Sequence, residues 1–548
     1  MQTVELSPDY YRDNFHFLLD WIEQRYAHLL SDEQARFISQ FLSLPKTSQC
    51  LAVRFASRKG PWFRVEKISY AEIGCIYSAA ETLLDNELLF EDPALTLDEL
   101  GQILTKKELH QLFQLPGYST LNKDGYLSQI HNQIENLDTK KWSDWTSRNF
   151  GALFFWPYQE LIQELQLLFF GNSYQKLTKF VLLDLGLHRY EQYSIDSQHQ
   201  LFKTQQEVLS YRRIDRWNEL LDNRNDLYVH LELANELHQF SVPASIQRRF
   251  DKLRNRVGYE IERRGYHEIA LSLYQTNQQP PSRERQIRLL EKQGDITTAW
   301  QLISKVLEAP HNEEELQIIK RIAVRLSKKL QQPFITTPRF SPQEMYFQMN
   351  ELTASLNENS IELCVQQHLT RDNAPCYYVE NILFTSLFGL WIWPDMFRAI
   401  DGAFANPFQA APLDMYHPEF AQKRDGLCER WQELEQSDFS VRILKRWHEK
   451  MGMLNHWVSW DLDVNIIENA LNLIPIAHLT LIFERLLFDP KNNRSGFPDL
   501  IQFFPESKTY ELIEVKGPGD RLQDNQIRWF TYFDQHAIPA KVCYVIQD

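Results

Sequence analysis

The chain has 548 residues, enough for several domains that each bury a core of their own. Its 58 basic and 73 acidic residues leave a net charge of −15, so the surface as a whole repels nucleic acid and any DNA contact must come from local basic patches. Cys50, Cys75, Cys364, Cys376, Cys428 and Cys543 are scattered without a Cys-x-x-Cys pair, which argues against a structural zinc site or a disulfide framework and predicts a reducing compartment. The acidic, mixed N-terminus predicts no signal peptide. No apolar run is long enough to span a bilayer, and no low-complexity tract appears. The expectation is a soluble, intracellular, multidomain chain with no membrane contact.

In residues 1–90, Phe15, Leu18, Leu19 and Ile22 recur at helical spacing. Leu51, Val53 and Phe55 alternate as a strand would, Arg58-Lys59-Gly60 reads as a turn, and Trp62 and Phe63 start a return strand. Arg54, Arg58, Lys59 and Arg64 then surround an aromatic, a pattern that suits phosphate contact beside a stacking platform and equally a solvated hairpin over a core tryptophan. Residues 91–240 open with a short helix bearing Leu104, Leu109 and Leu112. A turn follows over Gly117–Thr120, then a second helix with Leu127 and Ile130, and Lys106, Lys107 and Lys123 lie outside. The remainder of this stretch is aromatic-rich and reads as mostly helical, with Trp142, Trp145, Phe154, Phe155 and Trp156 as core.

Residues 241–340 begin with the most basic window of the chain. Arg248, Arg249, Lys252, Arg254, Arg256, Arg263 and Arg264 face only Asp251, Glu260 and Glu262. On one helix they would form a stripe for a DNA backbone, or a plain solvated face. A step of 29 then relates Gly265 to Gly294, Ala270 to Ala299, Leu273 to Leu302 and Pro281 to Pro310, which suggests stacked helical hairpins. Arg283 and Arg285 are placed in the loop between repeats.

Residues 341–548 carry the chemistry. An apolar segment at about 377–393 reads as a buried helix through Leu383, Leu387, Leu390 and Ile392. Glu380 is its one acid before Asp395. The core of this part is 495–548. Leu500–Phe504 and Tyr510–Val515 read as two strands around the turn residues Pro505, Glu506 and Ser507. A turn centred between Glu506 and Ser507 puts Asp499 opposite Glu514. Side chains alternate along a strand, so Glu514 and Lys516 share a face. Facing carboxylates repel unless a cation lies between them, and hard oxygen ligands suit Mg²⁺ or Mn²⁺. Such an ion activates water and offsets phosphoryl charge, while a lysine orients the water or stabilises developing charge. A surface hairpin with a bland Glu–Lys pair is the plain alternative. Gly517-Pro518-Gly519 stops the second strand, and Asp520 is expected to cap a helix with Gln523 as its partner. Leu522, Gln526, Trp529, Phe530 and Phe533 follow the helical period, and Lys541–Ile546 reads as a further strand.

Gly496-Phe-Pro-Asp-Leu-Ile-Gln-Phe503 with Tyr510-Glu-Leu-Ile-Glu-Val-Lys-Gly-Pro-Gly-Asp-Arg-Leu522 and Trp529 resembles the virus-type replication-repair nuclease domain, a branch of the P-D-(D/E)-x-K nucleases. Gln526 matches that domain's glutamine. Gln523 departs from it, standing where a small hydroxyl residue is expected. The run from Gln49 to Arg64 resembles the N-terminal region of the Fanconi-associated nuclease family, the 95–137 segment resembles a SAP module, and the repeats are tetratricopeptide-like. The resemblance implies a multidomain fold, a mostly α N-terminal region followed by a C-terminal α/β restriction-endonuclease-like nuclease domain. It implies a metal-dependent DNA phosphodiesterase of phosphodiesterase I type, a 5′ flap endonuclease and 5′-to-3′ exonuclease acting in interstrand-crosslink repair. It assigns metal binding to Glu380, Asp499, Glu514 and the Val515 carbonyl, and catalysis to Asp499, Glu514, Lys516 and Gln526. The expected partner is branched DNA with a 5′ flap, gripped by a monomer, in the nucleoid of a bacterium or the nucleus of a eukaryote. A four-way-junction resolvase and a non-catalytic DNA-binding scaffold remain the alternatives. No zinc-binding ubiquitin reader precedes the N-terminal region, so recruitment through ubiquitin is not expected.

Overall fold

A computed structural model describes residues 7–133, 138–147, 150–175, 188–195, 198–224, 226–277, 279–334, 341–356 and 360–547. The chain forms two compact units, one of Met1–His188 with Phe202–Val208, the other of Arg189–Leu201 with Leu209–Asp548. The helical content expected across 140–240 lies partly outside the described residues, at 176–187. Among the described residues no single helix is long and apolar enough to cross a membrane.

In the first unit the stripe of Phe15, Leu18, Leu19 and Ile22 is the buried face of the helix Tyr10–Tyr26, as predicted. The strand expected over Leu51–Phe55 is instead part of the helix Lys46–Ala56. Ser48 through Val53, with Phe55 and Ala56, are all buried. In a helix buried on nearly every side, alternation of apolar residues carries no information about period. Trp62–Arg64 is a strand, but it pairs antiparallel with Leu153–Phe155, ninety residues on. The SAP-like segment holds three helices, Leu97–Ile103, Lys106–Phe113 and Lys123–Gln133. Leu104 falls in a break because Thr105 and Glu108 form a capping box that starts a new helix.

The second unit contains helical hairpins. Ala244–Arg263 turns at Gly265 into His267–Gln275, and Ser282–Gln293 turns at Gly294 into Ile296–Glu308. Both glycines hold left-handed φ angles, 91° and 87°, which explains the 29-residue step. Ala270 and Ala299 are fully buried. Arg283 and Arg285 lie on the helix Ser282–Gln293, not in a loop.

The rest is organised around a five-stranded sheet: β1 (Gln343–Gln348), β2 (Cys376–Tyr378), β3 (Leu500–Phe504), β4 (Thr509–Lys516) and β5 (Ala540–Ile546). The order is β1-β5-β4-β3-β2. β5 runs parallel to both β1 and β4, while β4-β3-β2 is antiparallel. The two edge strands β1 and β2 are not signalled by the sequence. Alternation divides the hairpin between two cores. Ile501, Phe503 and Leu512 meet Leu479, Ile482, Trp529 and Phe533, whereas Leu500, Ile513 and Val515 meet Cys364, Val365 and Cys543. By the same alternation Asp499, Glu514 and Lys516 sit at the end of the first of these faces.

Candidate active site

The predicted hairpin register is observed: Leu500 pairs with Ile513, Ile501 with Leu512 and Phe504 with Thr509. One step further, Asp499 lies opposite Glu514, and its Oδ2 accepts the Val515 N–H at 2.8 Å. The Asp499 carbonyl accepts the Val379 N–H, also at 2.8 Å, so the residue is pinned from both sides. Burial pushes its carboxyl up to about 6. The charges of Glu380 and Glu362 act in the same direction, against the Val515 N–H and Lys516. Glu514 is fully buried. Its Oε1 accepts from Lys516 Nζ at 2.7 Å and from Gln526 Nε2 at 2.5 Å. Its Oε2 has no hydrogen-bond partner. Burial, then the Asp499 charge, pushes this carboxyl up to about 8.

Gln526 reaches Glu514 from the helix Asp524–Gln535. The cap of that helix is not Asp520, as expected, but Gln523, which forms a capping box with Gln526. Asp520 closes the preceding turn instead, accepting the Gly517 N–H at 3.1 Å. Gln523 thus does what a small hydroxyl residue does at an N-cap.

Glu380 departs from expectation. It is exposed, and it lies in the turn between β2 and the helix Leu383–Trp391 rather than on a helix. Asn381 breaks the chain there with a left-handed φ of 54°. Glu380 Oε2 accepts from the Tyr378 hydroxyl at 2.5 Å and Oε1 from Asn381 Nδ2 at 3.1 Å. Asp395 is fully buried and paired with Arg398 and Arg430.

Among the described residues no three His, Cys, Asp or Glu side chains gather closely enough to hold a metal ion. The ligand set expected from sequence is therefore not assembled as three carboxylates among the described residues; Glu380 bonds Tyr378 and Asn381. The facing pair does fit a cation. A buried carboxylate oxygen with no donor, opposite a second buried carboxylate, is costly unless positive charge comes to it. The pair is built of hard oxygens, which suits Mg²⁺ or Mn²⁺. Tyr378, Asn381 and Glu362 were not singled out from sequence, and only their proximity to Glu380 and to the hairpin could have drawn attention to them.

The predicted DNA-contacting cations separate into two groups. Arg54 pairs with Glu72 and stacks on Tyr11, and Arg64 is buried against Glu66 and Glu108. Lys106 donates to the Leu121 carbonyl. On the helix Ala244–Arg263, Arg249 pairs with Asp215 and Arg256 with Asp222. Arg254 donates to the Leu237 and Thr276 carbonyls. The stripe therefore faces more acids than Asp251, Glu260 and Glu262, because Asp215 and Asp222 on the helix Gln205–Asn223 neutralise part of it. Arg283 and Arg285 are likewise tied, to Glu315 and Glu262. The others are differently placed. Arg58 and Lys59 are exposed beside a notch of about 420 Å³ shared with Trp62 and Lys67, and Lys107 is exposed. In the second unit Arg248 and Lys252 line a cleft of about 1000 Å³ with Lys491. Arg248 Nε and Nη1 are buried without partners. Dehydration, then the neighbouring charges of Arg248, Lys491 and Arg249, holds the Lys252 ammonium below its ordinary range.

Residues 434–547 match the VRR-NUC domain, residues 9–90 the FAN1 HTH domain, and residues 94–145 the Fanconi anemia-associated nuclease SAP domain. The Fanconi-associated nuclease 1 homolog of Pseudomonas aeruginosa is 36% identical, over 98% of this chain and 96% of that protein. The human Fanconi-associated nuclease 1 is 24% identical over 98% of this chain and 62% of its own length. The crystal structure of paFAN1 bound to a 5′ flap DNA with a gap superposes with a TM-score of 0.86 at 35% identity, covering 99% of both chains. The resemblance read from the hairpin and the Gln49–Arg64 run thus extends over the whole length, and the chain belongs to the Fanconi-associated nuclease family.

Proposed function

We propose that this chain is a structure-selective nuclease that hydrolyses phosphodiester bonds in branched DNA at 5′ flaps, acts from 5′ ends as an exonuclease, and serves interstrand-crosslink repair at the nucleoid or in the nucleus. The observation that carries it is the Asp499–Glu514 pair, buried, facing, and short of one donor at Glu514 Oε2. The solved relatives with DNA support the substrate, since two of them hold 5′ flap DNA.

Asp499 and Glu514 would hold Mg²⁺ or Mn²⁺, with the Val515 carbonyl and Glu380 completing the set. When bound, such an ion supplies an activated water and offsets charge on the phosphoryl oxygens. The protein's own part is positioning. The Val515 N–H fixes the rotamer of Asp499. Gln526 and Lys516 share one oxygen of Glu514 and leave the other for a ligand. The Lys516 ammonium, 2.7 Å from Glu514, is a donor able to orient a water or to stabilise a developing oxyanion.

DNA contact falls to the cations that form no ion pair among the described residues: Arg58, Lys59 and Lys107 in the first unit, and in the second Lys252 and Arg248, which feels the Glu419 charge without bonding it. Arg54, Arg64, Lys106, Arg249, Arg254 and Arg256 serve first to hold their own units together. Residues 1–90, 91–240, 241–340 and 341–548 act in this scheme as an N-terminal DNA-contacting region, a SAP-like module with a helical extension, the helical repeats and the nuclease.

The test is cleavage of end-labelled 5′ flap, 3′ flap, four-way junction, duplex and single-stranded DNA with Mn²⁺, Mg²⁺ or EDTA. Metal-dependent incision of the 5′ flap near the branch, lost in Asp499→Ala, is the expected result. Symmetric cutting of the junction would make the chain a resolvase, and binding without cutting a scaffold.

A further inference from the structure

Glu380 and Asp499 are 119 positions apart, yet any metal site that uses both needs them in fixed register. Asn381 is where the structure joins them. Its Oδ1 accepts two consecutive backbone N–H groups, those of Gly496 at 2.8 Å and Phe497 at 3.1 Å. Its Nδ2 donates to Glu380 Oε1 at 3.1 Å. One amide thus holds the Glu380 carboxylate with one end and, with the other, the loop that leads through Pro498 into Asp499.

That loop has no freedom on its far side. Gly496 has a φ of 94°, and a Cβ there would lie 2.9 Å from the Asn525 backbone. Phe497 is tilted against Trp529, ring centroids 4.1 Å apart, and stacked on Phe384 at 5.1 Å. Asn525 is followed by Gln526, which holds Glu514. The loop therefore runs between two anchors, Asn381 on the Glu380 side and the helix Asp524–Gln535 on the Glu514 side. Asn381 itself is locked: its backbone is left-handed, a conformation asparagine and glycine tolerate, and its carbonyl accepts the Thr385 hydroxyl at 2.6 Å.

We propose that Asn381 is a positioning residue for the metal-binding carboxylates, tying the turn that carries Glu380 to the Gly496–Phe497 backbone that leads into Asp499. It touches no substrate. The proposal rests on the metal-dependent reading above. Outer partners that orient ligating carboxylates typically change metal affinity or activity by about 10- to 100-fold when removed.

The experiment uses the full chain, stripped with EDTA, as wild type, Asn381→Gly, Asn381→Asp and Asp499→Ala. Glycine keeps the left-handed backbone and removes the whole amide. Aspartate keeps the acceptor for Gly496 and Phe497 but replaces the donor to Glu380 with a repelling oxygen. Mn²⁺ affinity is read by calorimetry without DNA, flap affinity in EDTA by anisotropy, kcat and KM by cleavage, and folding by thermal unfolding in EDTA. Asn381→Gly is expected to bind Mn²⁺ about 10-fold more weakly or worse and to lose kcat by a similar factor, with flap affinity and KM unchanged. Asn381→Asp is expected to lose kcat while unfolding like wild type. Wild-type Mn²⁺ affinity and kcat in both variants would overturn the proposal, as would losses that merely track a lower unfolding temperature. If Asn381→Gly does not fold, Asn381→Asp decides by the same readouts. Cleavage by Asp499→Ala would instead overturn the underlying assignment of the site, whatever Asn381 does.

Discussion

The β3–β4 hairpin and the helix Ala244–Arg263 both carry charge conspicuous in the sequence, and the fold treats them in opposite ways. Apart from Arg248, the helix brings its arginines to acids or carbonyls. Asp215 and Asp222 neutralise Arg249 and Arg256, and Arg254 is used up on two carbonyls. The hairpin instead buries two carboxylates face to face and leaves one oxygen of Glu514 without a donor. Charge density is thus a poor guide to function. A buried carboxylate oxygen to which its own unit supplies no donor is a better one, because its cost of burial is met only by something that binds.

The sharpest way to break this contrast is at the hairpin. Asp499→Ala should reduce flap cleavage by on the order of 1,000-fold or more, since it removes half of the site that offsets phosphoryl charge. Flap affinity measured in EDTA should stay within about twofold of wild type, because Asp499 neutralises no DNA phosphate. Residual metal-dependent cutting by the purified variant would sink the assignment.

The hairpin was legible because its register depends on local quantities: turn length, strand alternation and the position of one proline. That arithmetic placed Asp499 opposite Glu514, and the pairing of Leu500 with Ile513 agrees with it. Glu380 was legible only as a residue type. Its exposure, its turn and its bonds to Tyr378 and Asn381 depend on a short edge strand that no periodicity announces. Leu51, Val53 and Phe55 misled for a related reason, since a helix buried on almost every side erases the pattern that tells it from a strand. The partners of Arg249 and Arg256 lie 34 residues away on another helix, beyond any local pattern.

The two carboxylates also tie the site to pH. Glu514 has a folded value near 8 against an ordinary 4.5, and Asp499 about 6 against 3.8. Both are raised, so the folded state favours the protonated forms. The stability this gives is full below the unfolded values and is lost as pH rises through the folded ones. The metal-free protein should therefore lose stability between pH 6.5 and 8.5, by on the order of 2 kcal/mol. Acids held low in the same chain, such as Glu108 and Glu291 at about 2, and histidines held low by burial, such as His417 at about 4 against an ordinary 6.5, act in the opposite sense only below this window. Thermal unfolding in EDTA across this range tests it. Glu514→Gln should flatten the slope, and Mn²⁺ should flatten it in wild type; an unfolding temperature that rises with pH would contradict the burial argument.

The smallest effects separate the cations of one helix. Arg249→Gln leaves the buried Asp215 carboxylate without its guanidinium, and it should cost about 1–3 kcal/mol of stability with little specific loss of DNA affinity. Arg248→Gln and Lys252→Gln remove charges that have no acid bonded to them, so stability should hold or improve slightly as the crowding of Lys252 by Arg248 and Lys491 is relieved. If each meets one phosphate, the slope of log affinity against log salt falls by about 1 per variant, uniformly across flap sequences. Measuring flap binding at several salt concentrations therefore sorts one helix into two classes. Equal salt slopes for Arg249→Gln and Lys252→Gln would dissolve the distinction between neutralised and waiting charge on which the contrast with the hairpin stands.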